Sequence, residues 1–358
     1  PPRSTPLYSS AASDVYKRQN LLLIFFILLL PYQDSFSQEE VNIYTSRHYD
    51  SDIKIYEEFE NRTGIKVNYI TGKGNALFER IKSEGKNCPA DIFITVDAGN
   101  LWKVEKEGYF QKIKSDKITT VLDKRFIGPD AKWIGIAKRF RVIVYNPDKF
   151  DNNKIQNISY EDLASNDFKN KIAIRSSSNI YNQSLIASLI YHNGESKTKE
   201  WLKGFVSNFS RKPQGNDRAQ VMAVAYGEAD LAIVNHYYLG IMLSGKSGEK
   251  QKSAAEKVSV AFPNTNNRGV HVNISGAGIL KNSKNYNNAI KYIEFLLEKD
   301  IQKHIVLNTY EYPIIDKVEP SPVIKGLGSK YKEDKLKVKE LGINNPKAVR
   351  LMDVAGWK

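Results

Sequence analysis

Twenty of the 358 residues are tyrosine, and three groups of them stand where a strand pattern gives way to polar residues. His48-Tyr49 follows the alternating Val41-Asn42-Ile43-Tyr44-Thr45. Tyr181 follows the strand pattern KIAIRS that ends at Ser176. Tyr237-Tyr238 follows the apolar run from Asp230 to Val234. Adjacent tyrosines in a loop ordinarily pack or line a rim, so each group alone says little. In open α/β sheets, however, ligands bind outside the carboxyl ends of the strands, and there the three groups would face one cleft. A phenolate is a hard anionic oxygen donor, although free tyrosine keeps its proton up to a pKa of about 10. Only a strongly polarising cation displaces several such protons near neutral pH, and ferric iron is the biological candidate. Zinc and copper call for His or Cys, calcium for carboxylates and carbonyls. The alternative is a small organic ion, such as a polyamine or phosphonate, on which the rings stack or hydrogen-bond without ionising.

Other chemistries find little support. The one cysteine, Cys88, excludes an intramolecular disulfide and a Cys-based zinc site. The five histidines, among them His271 in an apolar strand pattern that reads as a core residue, show no HxxxH or HExxH spacing. No GxSxG nucleophile context occurs. Gly72-Lys73-Gly74 lacks the phosphate-loop spacing and reads as a plain loop. Asp91 and Asp97 flank a strand with no second carboxylate or base at motif spacing, so capping or hinge roles are expected rather than acid–base work. An enzyme is therefore not expected. The formal net charge is +13 with no nucleic-acid motif beside it, which fits a generic basic surface or attraction of an anionic iron chelate and predicts no nucleic-acid partner.

The elements that would position the tyrosines form two α/β series. With 41% hydrophobic and 26% charged residues the composition is globular. Strand patterns at 41–45, 65–70 and 91–96 alternate with helical patterns at 51–61, 76–85 and after Asp97. This β-α-β-α-β order predicts a parallel sheet. Trp133 to Asn146 is a strand-like stretch longer than one ordinary strand, and a segment crossing between two domains explains its length. A second series follows, with helices over 183–192, 198–209 and 218–227 and the strand at 230–234. Strands at 258–263 and 270–274 would return the chain to the first domain.

Leu21 to Leu30 is an unbroken apolar run of ten, too short to span a bilayer, which takes about 20 residues, and suited to a signal-peptide core. Lys17-Arg18 before it and Ser35-Phe36-Ser37 after it complete a signal peptide over 20–37 with a mature start near Gln38. Residues 1–19 resemble translated sequencing-adapter read-through and are set aside as a non-native tail. A periplasmic protein is expected. The predicted architecture is α/β with two lobes, hinge strands and an interlobe cleft, the periplasmic solute-binding protein fold. Its first lobe covers 38–138 and is completed by about 267–310. The second covers 139–266, with 311–358 packing on it.

The stretches VNIYTSRHY (41–49), PADIFITVDAGNL (89–101), WIGIAKRFRVIVYNP (133–147), QGND (214–217) and DLAIVNHYYLG (230–240) resemble, in order, the ferric-iron-binding proteins of bacterial iron ABC transporters, the transferrin-like periplasmic family. The resemblance covers nearly everything from Gln38 onward. It implies a monomeric, non-enzymatic carrier of Fe3+ or a ferric chelate that delivers its cargo to an inner-membrane permease and its ATPase. It places Tyr49, Tyr181, Tyr237 and Tyr238 where the all-tyrosine subgroup has its iron ligands, and His48 at a position that ligates in some members. Arg139 matches an arginine near the iron or a synergistic anion such as carbonate, and Arg141 shares its strand face by period two. A further cleft arginine of some relatives is Met242 in this chain. Tyr237 and Tyr238 would point to opposite faces of a regular strand, so their convergence on one ion calls for a bent loop.

Overall fold

The computed structural model describes residues 38–47 and 49–358. His48 and the expected signal peptide lie outside the described residues. Within Glu39–Lys358, nine strands alternate with helices. Strand β1 (Glu40–Thr45) pairs in parallel with β2 (Lys66–Thr71) and β3 (Ile92–Val96), as the β-α-β-α-β order predicts. The connecting helices are Ser51–Thr63 and Gly74–Glu84. The first of these buries Ile55, Tyr56 and Phe59, a stripe at helical spacing.

The long strand β4 runs from Trp133 to Tyr145. Its first part, Trp133–Phe140, pairs with β8 (Val272–Ile279) in the sheet that holds β1 to β3, while Arg141–Tyr145 pairs with β6 (Leu231–Asn235) in the other. Two short strands, β5 (Ile172–Ala173) and β7 (Ser259–Ala261), flank this second sheet, and β9 (Tyr312–Pro313) joins the first. One strand thus belongs to both sheets, the crossing its length suggests. β8 returns the chain to the first sheet between β3 and β4. It approaches β4 closely at Gly276, where an added Cβ would lie 2.4 Å from the carbonyl oxygen of Ile134.

Helix Ile180–Ser207 packs Leu185, Ile186, Leu189, Leu202 and Phe205 into the core of the second sheet. Sequence periodicity splits it into two helices, and the reason is visible: Gly194, at φ 80°, interrupts the helical dihedrals midway. The C-terminal chain touches both halves. Gly342 lies against Trp102 of the helix that follows β3, where an added Cβ would come within 2.3 Å of that side chain, while Leu351, Met352 and Trp357 pack in the core of the second sheet. Among the described residues no helix is long and apolar enough to cross a membrane.

Candidate metal centre

Three segments bring four phenols to one cavity of about 850 Å³, lined by Tyr49, Tyr181, Tyr237, Tyr238 and Arg139, among others. Tyr49 lies in the turn between β1 and the Ser51–Thr63 helix, and its carbonyl accepts from the Asp52 amide at 2.9 Å. Tyr181 is the second residue of its helix. The N-cap Asn179 accepts the Tyr181 amide on Oδ1 at 3.2 Å, which fixes the turn that carries the ring.

Tyr237 and Tyr238 stand in the first turn of helix His236–Leu243, which starts directly from β6. The expectation of a bent loop is corrected here. Successive helical side chains are separated by about 100°, so adjacent residues can address one cavity, as strand neighbours cannot. The two rings lie 4.3 Å apart, and the Tyr237 hydroxyl donates to the Tyr181 hydroxyl at 3.4 Å. This helix is seated tightly at Gly240, where a Cβ would come within 2.8 Å of Ile324 and Tyr310. Neighbouring His236 takes no part: it is fully buried and its Nδ1 accepts from the Phe140 amide at 3.0 Å.

Three of the four rings are faced by guanidinium groups. The Arg139, Arg47 and Arg175 carbons lie 5.0, 5.0 and 5.6 Å from the ring centres of Tyr237, Tyr49 and Tyr181. Burial pushes the Tyr49 and Tyr237 phenols well above their ordinary range, and the positive charge of Arg139 opposes that rise at both. Burial, reinforced by Tyr181, lifts Tyr238 to about 12. At neutral pH these three phenols keep their protons until something displaces them.

The arginines are held by a buried network. Arg139 Nε donates to Glu311 Oε1 at 2.5 Å, and Arg47 Nη1 donates to Glu311 Oε2 at 2.9 Å. Arg47 also reaches Asp52 at 3.0 Å. Burial alone would raise the Glu311 carboxyl, but the two guanidinium groups outweigh it and hold the carboxyl at about 2. This quartet is neutral in sum, so Arg139 does not bring an uncompensated charge to the cavity. What it brings is Nη1, a buried donor with no hydrogen-bond partner among the described residues, suited to an anion. Buried donors are ordinarily satisfied, and this one belongs to a residue that lines the cavity.

Arg141 is buried elsewhere. It donates to Asp217 Oδ1 at 2.6 Å and to Asn182 Oδ1 at 2.7 Å, and is not among the cavity-lining residues. Arg175 shares Asp217 with it. Two cations on one carboxylate leave a positive excess on the Tyr181 side. Met242 is fully buried and is not among the cavity-lining residues, whereas Arg218 and Lys246 are. The sequence reading overlooked Arg47, Arg175 and Glu311. Arg47 stands two residues before Tyr49 and Arg175 at the end of a strand pattern, so both were open to the same reasoning that found the tyrosines. Glu311 is joined to Arg47 across 264 residues, and no local pattern announces it.

Set beside known proteins, residues 87–335 match the model of the bacterial extracellular solute-binding proteins. Iron uptake protein A1 of Synechocystis is 46% identical over 321 residues, 90% of this chain and 88% of the relative. The solved structure of Trichodesmium FutA, in complex with iron and citrate ligands, has a TM-score of 0.86 at 48% identity, covering 89% of this chain and all of that one. The ferric binding protein of Campylobacter jejuni has a TM-score of 0.82 at 38% identity, with coverage of 89% and 100%. These two-lobe structures share the mixed α/β architecture described above, and the chain belongs to the family of bacterial extracellular solute-binding proteins.

Proposed function

We propose that this protein binds ferric iron in the periplasm on the phenolate oxygens of Tyr49, Tyr181, Tyr237 and Tyr238 and delivers it, as a monomer and without catalysis, to an inner-membrane ABC permease and its ATPase. The observation that carries this reading is the convergence of four phenols from three distant segments on one cavity, with guanidinium groups against three of the rings. The names of the relatives agree with it: an iron uptake protein, a ferric binding protein, and a structure with iron and citrate.

The donor set suits the cargo. Four phenolates around a trivalent ion leave one net negative charge, and the positive excess at Arg175 and Arg141 lies beside it. Each phenolate bound must first lose its proton, so a strongly polarising ion is required. Arg139 Nη1 supports a synergistic anion, such as carbonate or a chelator carboxylate, as a further participant. His48 is a candidate for an additional ligand.

The test is colour. Purified mature protein mixed with ferric citrate should develop a visible ferric–phenolate charge-transfer band. A protein that remains colourless while binding a polyamine or a phosphonate would favour the organic-ion reading.

A further inference from the structure

Asp97 lines neither the tyrosine cavity nor any contact described above. It follows β3 directly as the N-cap of helix Ala98–Lys106 and is 1% exposed. Its backbone sits at φ 76°, ψ 126°, a conformation costly for any residue with a Cβ. Three donors converge on its carboxylate. Ser184 Oγ at 2.6 Å and the Gly99 amide at 2.8 Å donate to Oδ1, and Asn273 Nδ2 at 2.7 Å donates to Oδ2.

Only the Gly99 bond belongs to a helix cap. The other two partners come from distant chain, and both sit beside the site. Asn273, in β8, is the register partner of Arg139 in β4. Ser184 is three residues beyond Tyr181 on the same helix, so both occupy one face. The two helices meet at Gly99, where an added Cβ would lie 3.1 Å from Asp97 Oδ1 and 3.4 Å from Ile180 Cδ1. A strained, buried carboxylate with two long-range partners is more than capping requires, and strain of this kind persists where surrounding structure over-determines it.

We infer that Asp97 is a positioning residue for metal capture: through Ser184 and Asn273 it ties the Tyr181 helix to β3 and to the strand beside Arg139, and so sets where the Tyr181 phenol meets the other three. The inference rests on the reading that the phenols bind ferric iron. Without the tie, the start of the helix is free to shift, Tyr181 withdraws, and iron is held by the remaining phenols.

Ser184→Ala deletes the cross-segment hydrogen bond and leaves the packing of a small buried side chain. Ser188→Ala, a turn further along and equally buried, is the control for general damage to the helix. Ferric iron would be loaded from ferric citrate and its transfer to excess EDTA followed at the visible band. Ser184→Ala should release iron about tenfold faster than wild type or Ser188→Ala, the scale of one hydrogen bond to an ionised group, with a weaker band. Asp97→Gly, which suits the backbone, should release iron at least as fast as Ser184→Ala. A wild-type band with wild-type spectrum and release in both Ser184→Ala and Asp97→Gly would overturn the inference alone, as would equal acceleration by Ser184→Ala and Ser188→Ala. A wild-type protein with no band would overturn the iron reading and the inference with it.

Discussion

Arg139 donates to Glu311 at 2.5 Å while its guanidinium carbon lies 5.0 Å from the centre of the Tyr237 ring. The same cation therefore answers a buried carboxylate on one side and a phenol on the other. Its charge lowers the cost of ionising Tyr237, Tyr238 and Tyr49, and Glu311 keeps it in place. Because Arg47 also pairs with Glu311 and faces Tyr49 at 5.0 Å, one carboxylate orients the cations behind two separate tyrosine segments.

Replacing that cation separates its two roles. Arg139→Ala should weaken iron retention without abolishing the visible band, since all four phenols remain. It should also cost about 3 kcal/mol of stability, at the low end for breaking a buried ion pair, because Arg47 still holds Glu311. Denaturant unfolding of the apo protein and a competition titration with a chelator would measure the two effects. A solvated strand residue would give neither, and the burial of Arg139 at 2% argues against that role.

Glu311 carries a pH signature. Its folded carboxyl, held near 2, lies below the ordinary glutamate value of about 4.3. A depressed acid stabilises the fold above its unfolded pKa, and that contribution fades as pH falls through the folded one. Apo wild-type protein should therefore lose stability between about pH 4.5 and pH 2. Glu311→Gln leaves Arg47 and Arg139 without their shared carboxylate and should be less stable at neutral pH, with its deficit shrinking across that window. Melting temperatures over the pH range would show the convergence; a constant deficit would contradict the ion-pair account.

Proton release is the third expectation. Tyr49, Tyr237 and Tyr238 are all raised by burial, so they hold protons at neutral pH and must surrender them to a metal. Lower pH favours the protonated side of that exchange, so iron affinity should fall as pH drops. Calorimetry in buffers of different ionisation enthalpy should detect about one proton released per phenol engaged. Rings that merely stack on an organic ligand would release none.

The parts of this molecule readable from sequence are those with a local pattern. The alternation at 41–45 and the apolar run at 91–96 appear as β1 and β3, and the length of Trp133–Asn146 foretells a strand shared by two sheets. The tyrosines were legible because strand ends in an α/β fold mark a cleft, and the structure brings the described members of all three groups to one cavity. What stayed hidden depends on tertiary contact. Tyr237 and Tyr238 pass from strand to helix without a turn residue between, so the helix start carried no signal. Arg141 shares a strand face with Arg139 by period two, yet β4 changes sheets between them: Phe140 pairs with β8 and Arg141 with β6. Its guanidinium joins Asp217 instead. Glu311 acts through Arg47 and Arg139, 264 and 172 residues away, and Asp97 through Ser184 and Asn273, 87 and 176 residues away.

The most direct test of the central claim removes only oxygen atoms. Tyr→Phe keeps the ring and its packing but deletes the donor. Tyr237→Phe and Tyr238→Phe should each weaken iron binding, and the double variant should lose most of the charge-transfer absorption. Tyr49→Phe and Tyr181→Phe should have smaller but clear effects, because a water or an anion can fill one vacated position. A double Tyr237→Phe/Tyr238→Phe protein that still colours with ferric citrate and holds iron at wild-type affinity would contradict the account.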